Sequence, residues 1–229
     1  MAEARTRSPS SESWVELTAA DGHRLEAFMV TSSPSRGTVV VLQEIFGVNE
    51  HIQNVARRVA CLGYTAIAPA LFDRVRRRVA LAYDQAGIAE GKKLVAGIPL
   101  DSAMLDVAAT VNPSVLSGPV AVLGFCWGGT LAWLAAGSSP LAGAVAYYGG
   151  QIGSFLESQP KVPMLTHFGD QDASISLSVP QAVKEQQKTL ITHIYPAGHG
   201  FNCDERPGFH AESASLAWQR TAGFLSSVM

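Results

Sequence analysis

Gly124-Phe125-Cys126-Trp127-Gly128-Gly129 is the stretch on which the reading of this chain turns. Before it lies Pro119-Val120-Ala121-Val122-Leu123, a short apolar run suited to a buried parallel strand. After it lies Thr130-Leu131-Ala132-Trp133-Leu134-Ala135-Ala136, made mostly of good helix formers, with Gly137 placed to stop the helix. The chain must therefore turn sharply between strand and helix, and glycines at 124, 128 and 129 let backbone segments approach with no Cβ in the way. Cys126 stands at the apex, where a G-x-S-x-G nucleophile elbow carries its serine. A nucleophilic thiol and a buried structural cysteine both fit this hexapeptide, and the rest of the chain decides between them.

Working outward, two segments at 14–18 and 24–30 flank Asp21-Gly22 and predict an antiparallel hairpin. Residues 37–43 form an apolar run of the kind buried on both faces. Asn49 is placed to cap a helix that carries Ile52, Val55, Val59 and Leu62 on one face and ends at Gly63. With the next strand at 64–69, this makes a right-handed parallel crossover. Helices are expected at 83–95, 100–111, 179–188 and 211–228, the last with an apolar face of Leu216, Ala217, Phe224 and Leu225. Further strands are expected at 142–148, 162–168 and 190–195. The fold class is α/β: a three-layer, doubly wound, mostly parallel sheet with an antiparallel start. Residues 13–229 are expected to form one domain, with 1–12 as a flexible tail.

Composition narrows the function. An apolar fraction of 47% across 229 residues supplies a two-faced core. The formal net charge of −2 gives no electrostatic basis for binding nucleic acid or an anionic membrane. No apolar run is long enough to span a bilayer, and the N-terminus lacks the apolar region of a secretory signal. Three cysteines do not make a disulfide framework, so a reducing, cytoplasmic location is expected.

In such a sheet a site lies beyond the carboxyl ends of the strands. Cys126, Asp170 and Asp172, His199 and Glu44 all fall there, and nucleophile, acid and histidine follow one another in the order of an α/β-hydrolase. A thiol of ordinary pKa near 8.5 needs a proton acceptor at neutral pH. His199, between Gly198 and Gly200, is the expected base, and Asp172 is the expected acid on its far nitrogen, with Asp170 as the alternative. The run Arg74, Arg76, Arg77, Arg78 reads as a solvated face, with a contact to substrate charge as the alternative. Cys61 reads as a helix core residue and Cys203 as a loop bystander. Cys203 and His210 near His199 raise the question of a metal, but no ligand motif accompanies them, and none is expected.

Gln43-Glu44-Ile45-Phe46-Gly47-Val48-Asn49, the elbow hexapeptide, Gly169-Asp170-Gln171-Asp172 and Gly198-His199-Gly200-Phe201 together resemble the dienelactone hydrolase family, in order and in spacing. The resemblance implies hydrolysis of a small carboxylic ester or lactone by a Cys–His–Asp triad without a cofactor. It further implies that Glu44 contacts the resting thiol, with a salt bridge to Arg206 as the alternative for this buried carboxylate, and that the oxyanion hole uses the N–H groups of Ile45 and Trp127. Arg206 would grip a substrate carboxylate, or else pair with Asp204 or Glu205 at the surface. Phe46 would line the pocket, and Tyr83 would either do the same or belong to the core. The protein is expected to act as a monomer or weak homo-oligomer. Two alternatives stay open: a thioesterase or peptidase-like acyl hydrolase on the same residues, and a non-catalytic ligand-binding or thiol-sensing module.

Overall fold

The computed structural model describes residues 11–112, 116 and 118–229. Eight strands form one sheet in the order β1-β2-β4-β3-β5-β6-β7-β8. The hairpin β1 (Ser11–Thr18) and β2 (Arg24–Thr31) turns at Gly22, whose φ of 84° suits a residue without a Cβ. β2 runs antiparallel to β4 (Thr65–Pro69), and β3 (Thr38–Leu42) lies parallel between β4 and β5 (Val120–Phe125). β6 (Gly143–Tyr147), β7 (Met164–Gly169) and β8 (Ile191–Tyr195) continue the parallel sheet outward. β1 begins at Ser11, two residues ahead of the expected domain start. The remainder of the expected tail, 1–10, lies outside the described residues.

Among the described residues six α-helices cover the two faces: α1 (Glu50–Cys61), α2 (Gln85–Ala96), α3 (Leu100–Thr110), α4 (Trp127–Ser138), α5 (Ser178–Gln186) and α6 (Ala211–Val228). The period-two alternation of β3 sorts the core into two layers. Val39 and Val41 pack with Ile52, Val55 and Val59 of α1 and Phe224 and Leu225 of α6. Val40 and Leu42 pack with Val107 of α3 and Leu131 of α4. Asn49 caps α1 by accepting from the Ile52 N–H at 3.3 Å, and Gly63, at φ 91°, closes its far end.

Two expectations need correction. Gly137 does not stop α4, which runs on to Ser138; the Ser138 hydroxyl donates to the Leu134 carbonyl and the Ser139 N–H to that of Ala135. On α6 the buried face is Ala214, Ala217, Thr221, Phe224 and Leu225, while Leu216 is exposed.

The sheet order places the site. From β3 the chain crosses to β4 on one side, and β5 then takes the other side, so β3 and β5 flank the topological switch point. The loop after β3 and the elbow after β5 are therefore neighbours. Glycines allow the close approach: a Cβ on Gly124 would collide with the Gly128 carbonyl, and one on Gly128 with the carbonyls of Leu42 and Gln43. Gly124→Ala is expected to lower stability by about 1–3 kcal/mol or more in urea unfolding. Gly150→Ala, where a Cβ would meet nothing within 4 Å, is expected to change it by less than about 0.5 kcal/mol. Equal effects at the two positions would contradict this account of the elbow.

Candidate active site

Cys126 occupies φ 53°, ψ −113°, a region that a residue with a side chain rarely adopts. Surrounding hydrogen bonds hold it there. Its N–H donates to the Tyr147 carbonyl at 3.0 Å, its carbonyl accepts from the Thr130 N–H at 3.2 Å, and the Gly128 N–H donates to the Gln43 carbonyl at 3.0 Å. The turn thrusts the Cys126 side chain off the sheet edge at the start of α4. Trp127, the first residue of that helix, has an N–H with no acceptor inside the helix. Its ring stacks on Phe72 at 5.6 Å. Ile45 follows β3 on the adjoining loop, which the Gln43 side chain braces by accepting from the Leu71 N–H and donating to the Glu44 carbonyl, each at 3.2 Å.

The turn after β8 brings His199 to the elbow, with Nε2 3.2 Å from the Cys126 sulfur and Nδ1 2.8 Å from Asp172 Oδ2. Asp172 is fixed in turn, since its Oδ1 accepts from the N–H groups of Ser174 at 2.7 Å and Ile175 at 3.1 Å. Asp172, rather than the exposed Asp170, is thus the carboxylate on His199. Burial by itself would lower the His199 pKa, but the hydrogen bonds to Asp172 and Cys126 outweigh it and raise it to about 10.

Glu44 is fully buried. The Tyr83 hydroxyl donates to its Oε2 at 2.8 Å, and Arg206 Nη1 donates to its Oε1 at 3.1 Å. The guanidinium also lies 5.6 Å from the Phe46 ring centre and 5.5 Å from that of Tyr83. Phe46 and Tyr83, expected to line the pocket, pack against each other at 4.4 Å. The Cys126 sulfur lies against His199, and Glu44 pairs with Arg206, the alternative partner that the sequence offers for this carboxylate. Arg206 therefore points inward and does not take the surface pair with Asp204 or Glu205 that was its own alternative. Gly200, at φ 74°, makes room for Arg206, because a Cβ there would strike the guanidinium.

Cys203 is no loop bystander. It is fully buried, and burial pushes its thiol up to about 12, beside the Tyr83 hydroxyl. His210 caps α6 by accepting from the Ser213 N–H at 3.3 Å. Cys61 closes α1 half-buried. In the arginine run, Arg76, Arg77 and Arg78 are exposed as expected, Arg76 pairing with Glu90, Arg77 donating to the Arg24 carbonyl and Arg78 lying 3.7 Å from Glu26, whereas Arg74 makes a two-pronged pair with buried Asp106 and also binds Asp21. Arg74 is therefore a tie between α3 and the hairpin turn, not part of a solvated face. One neighbour of the site went unread in the sequence. Tyr148, at φ 38°, places its ring 5.1 Å from that of His199, with its buried hydroxyl unpaired among the described residues. Its place directly after β6, at the same sheet edge, was the available signal.

An eight-stranded, mostly parallel sheet with a strained elbow after β5 defines an α/β-hydrolase fold. The dienelactone hydrolase family matches residues 25–229, and the chain belongs to that family of hydrolases. It is 38% identical over 223 residues to a Yersinia pestis protein assigned as a carboxymethylenebutenolidase, covering 87% of this chain and 82% of that one. It is 30% identical over 224 residues to the carboxymethylenebutenolidase of Pseudomonas putida, covering 93% and 95%. The crystal structure of a Klebsiella pneumoniae protein assigned as a dienelactone hydrolase superposes with a TM-score of 0.76 at 29% identity, covering 95% of this chain and 99% of that one. Among the described residues no helix is long and apolar enough to cross a membrane.

The raised His199 pKa links folding to pH. The folded protein holds this proton more tightly than the unfolded chain, whose histidine titrates near 6.5. The stabilisation is fully present below that value and is lost as pH rises through about 10. Asp172→Asn removes the main stabilising partner of the imidazolium. The gap in urea midpoint between wild type and Asp172→Asn is therefore expected to be widest at pH 6–7 and to narrow toward pH 10. A gap independent of pH would contradict the assignment.

Proposed function

We propose that this hydrolase cleaves small carboxylic esters or lactones, preferably ones that carry a second carboxylate, through a covalent acyl-enzyme on Cys126. The single observation that carries the reading is the continuous chain Cys126 Sγ–His199–Asp172, at 3.2 and 2.8 Å, on a backbone strained at the nucleophile. A non-glycine residue held at positive φ directly after a strand is the kind of backbone strain that clusters at functional sites.

The proton shared between the sulfur and His199 rests on Nε2, and the sulfur attacks the carbonyl carbon. Asp172 holds the imidazole so that Nδ1–H points at the carboxylate, and it stabilises the imidazolium. The charge that develops on the carbonyl oxygen is accepted by the N–H groups of Ile45 and Trp127, the latter at the positive end of α4. The C–O bond breaks, and the leaving oxygen takes the Nε2 proton, which frees His199 to act as base. Water then attacks the thioester with His199 as base, releasing the carboxylate product and restoring the thiol.

Arg206 and Glu44 supply the preference for an acidic substrate. Glu44 balances the guanidinium while the pocket holds water, and a substrate carboxylate competes for it, with Tyr83 and Phe46 as the aromatic walls. Paired assays on an acidic lactone and a neutral ester of similar size test the reading. Cys126→Ala is expected to lose more than about a hundredfold in kcat on both. Arg206→Ala is expected to lower kcat/KM for the acidic lactone by about tenfold to a hundredfold, and that for the neutral ester far less, since a charge-assisted hydrogen bond is worth about 1.5–3 kcal/mol. Retained activity in Cys126→Ala would exclude the acyl-enzyme on that thiol. Equal losses on the two substrates in Arg206→Ala would reduce Arg206 to a counter-ion for Glu44.

A further inference from the structure

Beside the Cys126–His199–Asp172 chain, three groups able to ligate a metal converge from separate parts of the fold. A carboxylate oxygen of Glu44, a ring nitrogen of His51 and the sulfur of Cys203 all lie within 4.8 Å of one another. They come from the loop after β3, the first turn of α1 and the loop that follows His199, and each residue is at most 1% exposed. Carboxylate, imidazole and thiol are a donor set that suits zinc-type cations.

The second observation is an unused atom. His51 Nε2 is buried and has no hydrogen-bond partner among the described residues, while Nδ1 lies 3.7 Å from Asp204 Oδ1. Burial lowers the His51 pKa, so the ring is neutral at ordinary pH. With its proton on Nδ1, facing Asp204, Nε2 carries a free lone pair in the interior. A buried polar atom left unpaired costs about 1–3 kcal/mol. Nδ1 near an acidic side chain, with Nε2 left open, is also the arrangement that orients a ligating histidine.

We propose that Glu44, His51 and Cys203 form a binding site for a thiophilic divalent cation of the zinc type, and that its occupancy arrests the enzyme. Donor atoms around a tetrahedral zinc stand roughly 3.5 Å apart, so the three groups, within 4.8 Å of one another, need to close in by about 1.3 Å at most. Binding releases the Cys203 proton to solvent, and the thiolate and the Glu44 carboxylate then balance the divalent charge. The fourth position is left to water. The cation takes the carboxylate that now holds Tyr83 and Arg206, and it leaves the guanidinium without its counter-ion. The effect on rate rests on the proposed roles of Glu44 and Arg206; the binding does not.

Cobalt(II) serves as the spectroscopic probe, in a Cys126→Ala background that removes the other candidate thiol. Titration is expected to produce a thiolate-to-cobalt charge-transfer absorption that saturates at a single ion per chain. Adding Cys203→Ala abolishes it, and adding His51→Ala weakens binding by about tenfold or more. Far-UV circular dichroism and thermal unfolding verify each variant, and Cys203→Ser replaces Cys203→Ala where the latter unfolds. No absorption in Cys126→Ala, or an absorption that survives the loss of Cys203, overturns the site. In the wild-type background, zinc inhibition of ester hydrolysis that Cys203→Ser shifts by about tenfold, without changing the metal-free rate, supports the arrest. Inhibition that Cys203→Ser leaves unchanged places the ion on Cys126 and His199 and overturns it, as does cobalt binding with no loss of rate.

Discussion

The constraint on which the rest depends is the positive φ of Cys126. An L residue held in that region stores strain of the order of 1–3 kcal/mol, and it persists only where its neighbours leave no alternative. Here the neighbours are backbone. Gly128 packs on the carbonyls of Leu42 and Gln43, and a Cβ on Gly129 would stand 2.7 Å from the Tyr147 carbonyl. The first turn of α4 is wedged between the ends of β3 and β6, and any side chain in place of these hydrogens would push it out. In exchange the sulfur stands clear of the sheet, with the N-terminus of a helix directly behind it.

A second constraint is electrostatic. A fully buried carboxylate is costly unless it is paired and hydrogen-bonded, and Glu44 meets both conditions through Arg206 and Tyr83. Because the partners come from distant segments, the pair also fastens the loop after β3 to the loop that carries His199. His199, Arg206 and Cys203 lie within eight residues of one another. Glu44 is thus tied to the same loop that brings His199 to the elbow.

Much of this was legible in the sequence because it is local. The elbow glycines, the Asn49 cap and the Asp21-Gly22 hairpin each announce themselves within a few residues. Cys126, His199 and Asp172 could be read because each follows an apolar strand, and strand ends in a parallel sheet meet at one edge. What stayed hidden depends on side-chain direction across long separations. Glu44 and Arg206 are 162 positions apart; the sequence offered their pairing only as one of two readings of Glu44, and the fold shows them hydrogen-bonded. Cys203 looked like a surface loop residue because its neighbours Asp204 and Glu205 are polar, yet its own side chain turns inward. Arg74 looked like its neighbours in a basic run, while Asp106 drew it into the scaffold. Gly137 failed as a stop signal because two hydrogen bonds at Ser138 and Ser139 carry α4 past it.

The central claim is that the strained elbow exists to present a nucleophilic sulfur. The most direct measurement is rapid acid quenching during turnover of an activated ester, followed by intact-mass and peptide analysis. A mass increase equal to the acyl group, located on the peptide containing Cys126 and forming before steady state, is the result this account predicts. Turnover that proceeds with no acyl group on Cys126 at any time would contradict it.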